Sequence, residues 1–141
     1  MSCVLRAHGT EFDVESYIGG SPLAVDSHWI RGAPRVALQS RPDRTSASSG
    51  IRVIASEAEF DAFPEQVKDV QSFLATNREA LLQLIHFPGV EGAELDFGIE
   101  IHPPGTASCS LPPQLMEVAS SLGLSVTISV YPVNSSNDAD V

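Results

Sequence analysis

The amino-acid sequence predicts an α+β fold, a two-layer sandwich in which helices cover one face of a mostly antiparallel sheet. First, strand-like and helix-like hydrophobic periods follow one another along the 141 residues in the order βαββαβαβ. Second, the strands are apolar on one side only, because every second residue between Glu94 and His102 is a large apolar one. Such a sheet buries one face under helices and leaves the other face to water.

The first half of the chain predicts short elements separated by turns. Residues 3–8 alternate as a strand, and a short helix follows with Asp13 as its N-cap and Gly19 and Gly20 as its left-handed end. Extended segments are predicted at residues 28–30, 36–38 and 51–55. Residues 39–50 contain no large apolar side chain, which predicts a mobile loop.

The second half contains the longer periodic segments. Apolar residues from Phe63 to Ile85 recur at helical steps, as one helix or as two that break near Thr76, where Glu79 three residues on completes a capping-box pattern. A further helix covers residues 111–122 and ends at Gly123, and a final strand covers residues 124–131. We expect one domain over residues 1–132 and a disordered polar tail over residues 133–141.

The element order also predicts how the strands lie in the sheet. The first six elements follow the ferredoxin-like order, and the last helix and strand extend that core. In this arrangement the first and fourth strands are neighbours. We therefore expect Arg6 and His8 to lie across from Asp96, Glu100 or His102.

Charge and composition exclude several classes of protein. The formal net charge is −10, and residues 53–141 contain only Lys68 and Arg78 against 13 acidic residues. Such a surface repels phosphate, so we expect no nucleic-acid partner and no anionic membrane. No apolar stretch approaches the roughly 18 to 20 residues needed to cross a bilayer. Two cysteines, Cys3 and Cys109, are too few for a disulfide framework, and without a secretory pattern the sequence predicts a cytoplasmic protein.

Two groups of residues are candidate binding surfaces. The polar side of the strand at residues 94–102 presents Glu94, Asp96, Glu100 and His102, which suit a solvated face, contact with a partner, or a divalent metal and acid–base chemistry. The second group combines Trp29 with Arg31 and Arg35, a composition enriched at interface hot spots.

Motifs for nucleotide, phosphate, serine-hydrolase and zinc-protease sites are absent from the sequence. We therefore predict no bound cofactor, no metal and no assigned catalytic residue. Enzymatic activity stays open at this point and is the less favoured reading.

Several segments resemble a family of small bacterial α+β proteins known as a domain of unknown function. The similarity covers residues 2–132 and rests on Phe12-Asp13-Val14-Glu15, on the segment from Trp29 to Pro34, on Ser49-Gly50, and on the closing stretch at residues 122–131. Some members of that family lie near contact-toxin systems. The resemblance therefore implies an immunity-like role, and it implies no catalytic residue.

Two functional hypotheses follow. The first is a cytoplasmic, non-enzymatic interaction domain, an acidic immunity-like protein that engages a basic protein partner or a second copy of itself through the final strand. The alternative is a small-ligand-binding protein or a metal-dependent enzyme that uses the strand face of Asp96, Glu100 and His102.

Overall fold

The computed structural model describes residues 2–33 and 46–133. Within these residues it has a five-stranded mixed sheet and four helices, so the predicted α+β class is confirmed. In chain order the elements are β1 (Cys3–Gly9), α1 (Val14–Gly20), β2 (Val25–Trp29), β3 (Ser49–Ser56), α2 (Phe63–Thr76), α3 (Arg78–Ile85), β4 (Gly92–Ile101), α4 (Pro113–Ser121) and β5 (Leu124–Pro132).

The strands lie in the order β2-β3-β1-β4-β5. Neighbouring strands are antiparallel except β4 and β5. These two are parallel because α4 returns the chain to the end of the sheet at which β4 starts. The expected neighbours β1 and β4 are paired, with Arg6 directly opposite Glu94. The predicted mostly antiparallel sheet is therefore a mixed one with a parallel strand at one edge.

The hydrophobic core lies between one side of the sheet and the helices. Alternate residues Cys3, Leu5 and Ala7 of β1 are fully buried and belong to the same cluster as the buried residues of all four helices. Leu74 of α2 and Leu84 of α3 are among the largest side chains in this cluster. The alternation of β1 therefore separates an apolar side, which meets the helices, from a polar side that carries Arg6 and His8.

The ends of α1 are set by Asp13 and Ser21. The Asp13 carboxylate accepts the Ser16 N–H at 3.1 Å, which confirms the predicted N-cap. Gly19 and Gly20 are helical residues within α1, and the chain leaves the helix at Ser21 with extended backbone. The predicted left-handed glycine end is therefore wrong for α1, whereas Gly123 after α4 does have a positive φ of 70°.

The long periodic segment is two helices that break at Asn77. Its side-chain amide donates to the Phe73 carbonyl at 2.9 Å, at the end of α2. The predicted capping box is wrong, because Asn77 rather than Thr76 stands at the N-cap of α3, and its side chain bonds backward instead of capping α3. The break turns the apolar stripe so that Leu74 and Leu81 both reach the core.

Part of the predicted mobile loop is ordered structure. Ser46 is buried, and its backbone pairs with Gly32 and Ala33 through hydrogen bonds of 2.9 and 3.1 Å. Ser49 and Gly50 already belong to β3, because backbone pairing with β1 and β2 needs no large side chain. The predicted strand at residues 36–38, residues 39–45 of the loop, and residues 134–141 of the tail lie outside the described residues.

Candidate functional site

The polar side of the sheet carries members of both predicted surfaces, at opposite ends. Trp29 lies opposite Gly50, and Gly50 lies opposite His8, so Trp29 and His8 are on one side of the sheet. The next row on that side contains Arg52, Arg6 and Glu94. We call this side the polar face, and its polar and aromatic members include Trp29, His8, Asp26, Arg52, Arg6, Glu94, Asp96, Glu100, Thr127, Ser129 and Tyr131.

Trp29 lies at the β2 end of the polar face. Its ring covers Gly50 so closely that a Cβ at Gly50 would come within 2.2 Å of Trp29 Cζ2. Arg31 follows on the loop, where its N–H donates to Ser49 Oγ at 2.9 Å and its guanidinium lies 3.6 Å from Glu11. Arg35, the third predicted member of this surface, lies outside the described residues.

Glu94 and Asp96 are held by partners on both neighbouring strands. Arg6 Nη1 donates to Asp96 Oδ2 at 2.6 Å and lies 3.7 Å from Glu94 Oε1. On the other side, Ser129 donates to Asp96 Oδ1 at 2.6 Å and Thr127 donates to Glu94 Oε2 at 2.7 Å. The Asp96 side chain is only 11% exposed, so its carboxylate mainly holds β1 and β5 to β4 through these hydrogen bonds.

A second ion pair on the polar face joins β2 and β3. Arg52 Nε and Nη2 both donate to Asp26 Oδ2, at 3.0 and 2.6 Å. Arg52 stands directly opposite Arg6 on the neighbouring strand. Arg6 and Arg52 are therefore like-charged residues at one register position, and their carboxylate partners lie on β4 and on β2, respectively.

Glu100 and His102 lie beyond the part of β4 that pairs with β1. The two side chains approach each other at 3.7 Å, and His8 lies opposite Gly92 rather than near them. The structure does not join this pair to Asp96, whose oxygens are taken by Arg6 and Ser129. Over residues 2–33 and 46–133, no group of three or more His, Cys, Asp or Glu is placed to hold a metal ion.

Sequence reasoning missed an aromatic pair at the β5 end of the polar face. Phe60 and Tyr131 meet edge to face with ring centroids 5.4 Å apart. Phe60 lies over Gly98, where a Cβ would come within 2.3 Å of its ring. The signal was Gly98 itself, because a glycine inside an otherwise regular strand marks the close approach of another group.

Gln66 fixes the loop that carries Phe60. This fully buried side chain of α2 donates through its amide nitrogen to the carbonyls of Gly98, at 2.8 Å, and Glu59, at 3.2 Å. The bonds tie α2, the loop before it and β4 together. A buried amide in this position holds Phe60 against the sheet.

A cavity of about 240 Å³ opens beside this aromatic pair. Its lining includes Arg6, Arg52, Asp96, Phe60 and Tyr131. The same cavity therefore borders both arginines and both aromatic residues. It lies on the polar face, away from the buried core.

The two cysteines differ in their surroundings. Cys3 is fully buried on the apolar side of β1, and burial, followed by the negative charge of Asp96, raises the pKa of its thiol well above the ordinary value. Cys109 is half-buried. Burial also raises the pKa of Tyr17, which packs between Phe12 and Phe87.

β5 forms one edge of the sheet and bonds only to β4 in the described part of the chain. Its last apolar residues, Val130 and Tyr131, are each 50% exposed. β2 forms the opposite edge. None of the helices described here is both long enough and apolar enough to cross a bilayer.

Comparison with known proteins adds no assignment to this geometry, since no family model, no curated protein and no solved structure matches the chain.

Proposed function

We propose that this chain is an acidic, non-enzymatic interaction domain that binds a basic protein partner by accepting an extended segment of that partner along β5. The immunity-like role implied by the resemblance to small bacterial proteins points in the same direction. The observation that carries the proposal is the edge position of β5, together with the half-exposed Val130 and Tyr131 near its end.

We infer that β1 to β4, with the helices between them, form a ferredoxin-like core. The support is the strand order β2-β3-β1-β4 with antiparallel neighbours throughout. α4 and β5 are then an addition to this core. The addition replaces β4 as the edge and presents a new strand to a partner.

β5 has the properties of a strand that accepts another strand. It is nine residues long, pairs with β4 without a break in register, and carries no charged side chain. An edge of this kind presents unpaired N–H and C=O groups, which bind an extended peptide through main-chain hydrogen bonds. Side chains at the strand end then determine which peptide is preferred.

The end of β5 suits a basic side chain. Tyr131 is half exposed and contacts Phe60, and Glu100 lies directly opposite Tyr131 on β4. The exposed residues Glu59 and Asp61 flank Phe60 in the chain. Aromatic faces beside carboxylates bind Lys and Arg through cation–π and charge-assisted contacts, and the net charge of −10 steers a basic partner toward the domain.

This proposal assigns different roles to the predicted acidic residues. Glu94 and Asp96 are bound by Arg6, Thr127 and Ser129, so they organise the polar face. Glu100 stands at the end of β4 where the partner would contact Tyr131. A contact through Trp29 and Arg31 stays a prediction at the opposite edge.

The test is capture of a partner by the tagged protein from native lysate, followed by reconstitution with the purified partner. Val130→Lys places a charge on the β5 edge, and His28→Lys places the same charge on β2 as the matched control. We expect a basic protein to bind wild type and His28→Lys with equal affinity and to bind Val130→Lys at least about tenfold more weakly, since a lysine opposes strand addition and repels a basic partner.

Equal binding by Val130→Lys and wild type would contradict the use of β5. Binding of only a neutral or acidic partner would contradict the basic class. A dimer of the chain itself that dissociates in Val130→Lys would replace the foreign partner with a second copy.

A further inference from the structure

We propose that the polar face also contains a small-molecule site, in which an aromatic carboxylate binds between Arg6 and Arg52 with its ring against Phe60 and Tyr131. The site shares Phe60 and Tyr131 with the surface proposed for a basic side chain, but its anion-binding groups are Arg6 and Arg52, and it does not depend on the proposed protein partner. Its basis is the cavity of about 240 Å³ that these four residues border.

The first step is the pairing of the two arginines. Arg6 and Arg52 are direct cross-strand partners, an arrangement in which like charges repel. Both side chains are about one-third exposed, so water screens this repulsion incompletely. Asp96 and Asp26 offset part of this repulsion, and an anion bound to both guanidinium groups would offset more of it.

The second step is that Arg6 and Arg52 both have N–H donors that their carboxylate partners do not use. A guanidinium has five N–H donors, and Arg6 uses only Nη1 for its contacts with Asp96 and Glu94. Arg52 uses Nε and Nη2 for Asp26. Among the described residues, Arg6 Nε and Nη2 and Arg52 Nη1 have no hydrogen-bond partner and are available to a carboxylate.

The third step is the charge of the cavity wall. Its charged lining residues are Arg6, Arg52 and Asp96, and both Asp96 oxygens already accept hydrogen bonds from Arg6 and Ser129. The residues that line the cavity therefore include two guanidinium groups and one carboxylate, while Asp26 and Glu94 contact the arginines from outside the lining. The excess of guanidinium over carboxylate in the lining itself, with N–H donors that these carboxylates do not use, favours an anionic ligand at this position.

The fourth step is the shape and chemistry of the remaining wall. Phe60 and Tyr131 supply two aromatic rings in edge-to-face contact, against which a third ring packs well. A carboxylate matches the planar fork of an arginine, whereas phosphate alone would leave the aromatic wall unused. The cavity lies below the roughly 300 Å³ of common drug-sized pockets, so one ring with a short acidic side chain is the expected size.

The test is calorimetric titration with phenylacetate, using phenylacetamide and inorganic phosphate as matched probes. We expect phenylacetate to bind wild type and the remote control Arg78→Gln equally, and Arg52→Gln at least about tenfold more weakly, the loss typical of a charge-assisted contact. Phenylacetamide and phosphate should each bind wild type at least about tenfold more weakly than phenylacetate. Arg52→Lys keeps the charge without the fork and should give an intermediate affinity.

Several results would overturn the site. These are no heat from phenylacetate, unchanged affinity in Arg52→Gln, equal affinity for the neutral amide, or equal affinity for phosphate. Should Arg52→Gln fail to fold, the affinity of Arg52→Lys for phenylacetate becomes the test. An affinity equal to that of wild type would then contradict a contact through the planar guanidinium of Arg52. Val130→Lys should bind phenylacetate like wild type, because Val130 lies on the other side of β5, so this site and the partner surface can fail separately.

Discussion

The two edges of the sheet differ in length, charge and regularity. β2 has five residues, and its pairing with β3 is interrupted between Val25 and Ser27, where Asp26 bulges to reach Arg52. β5 has nine residues in unbroken register with β4 and no charged side chain. At the β2 end an aromatic ring, Trp29, covers the sheet, whereas at the β5 end Tyr131 is half exposed.

This difference indicates which edge is protected and which is available. Short length, a bulge and charged residues are the usual devices by which proteins prevent strand addition, and β2 has all three. β5 has none of these three, and the one residue in it that opposes strand addition is Pro132 at its end. The contrast is the physical basis for placing the partner on β5.

Between the two ends of the polar face, the largest expected loss of stability is at the glycine beneath Trp29. A Cβ at Gly50 would lie 2.6 Å from the Ala7 carbonyl oxygen, a backbone atom that cannot move freely. We expect Gly50→Ala to lower the free energy of unfolding by about 2–3 kcal/mol. Gly98→Ala, at the β5 end, meets the Phe60 ring at 2.3 Å, but the nearest backbone atom, the Ser2 carbonyl oxygen, is farther away at 3.2 Å, so the cost should be lower, about 1 kcal/mol. Urea denaturation of both variants checks the order, and a costlier Gly98→Ala would reverse the comparison.

The next effect concerns the carboxylates at the two sides of the polar face. Asp96 is 11% exposed and accepts bonds from Arg6 and Ser129, so Asp96→Asn should lower the free energy of unfolding by about 1–3 kcal/mol. Asp26 is more exposed, and within residues 2–33 and 46–133 its side chain bonds only Arg52, so Asp26→Asn should cost less than about 1 kcal/mol. Equal losses in the two variants, measured by thermal and urea unfolding, would argue against a more tightly organised β4–β5 side.

Alkaline pH should lower the free energy of unfolding through Cys3, which lies on β1 in the middle of the sheet. Burial raises the pKa of Cys3 above its ordinary value of 9.0, so the folded state keeps the thiol proton while the unfolded state loses it. Stability is therefore full below pH 9.0 and should fall by about 1.4 kcal/mol per pH unit above it. Tyr17 adds a loss in the same direction at higher pH. Cys3→Ala should lack the first part of this decline, and an unchanged slope would show that the thiol is not its cause.

The smallest expected effect on stability is at Val130. Its side chain is 50% exposed at the sheet edge, so Val130→Lys should change the free energy of unfolding by no more than about 0.5 kcal/mol. The same variant should lose the partner. A loss of several kcal/mol in urea denaturation would mean that Val130 supports the fold itself.

The sequence predicted the fold class because periodicity marks buried faces directly. The alternation in β4, the helical stripe around Leu74 and the Asp13 cap are local signals, and each corresponds to an element of the structure. The helix ends were less predictable. Gly19 and Gly20 continue α1, and Asn77 rather than Thr76 is the N-cap of α3, because tertiary packing decides where a helix turns.

The sequence predicted one of the contacts in the candidate site but not the others. The pairing of Arg6 with Asp96 follows from the strand order, which the element order suggested. The opposition of Arg6 and Arg52 needed the register between β1 and β3, which a chain with no long alternating pattern in β3 does not specify. The contact between Phe60 and Tyr131 joins residues 71 positions apart and has no local signature except Gly98.

Amide hydrogen exchange, with and without the reconstituted basic partner, tests the role of β5 most directly. Strand addition would slow exchange in residues 124–132 and leave residues 25–29 of β2 unchanged. Protection confined to β2 or to the helices, with exchange in β5 unaltered, would contradict strand addition at β5.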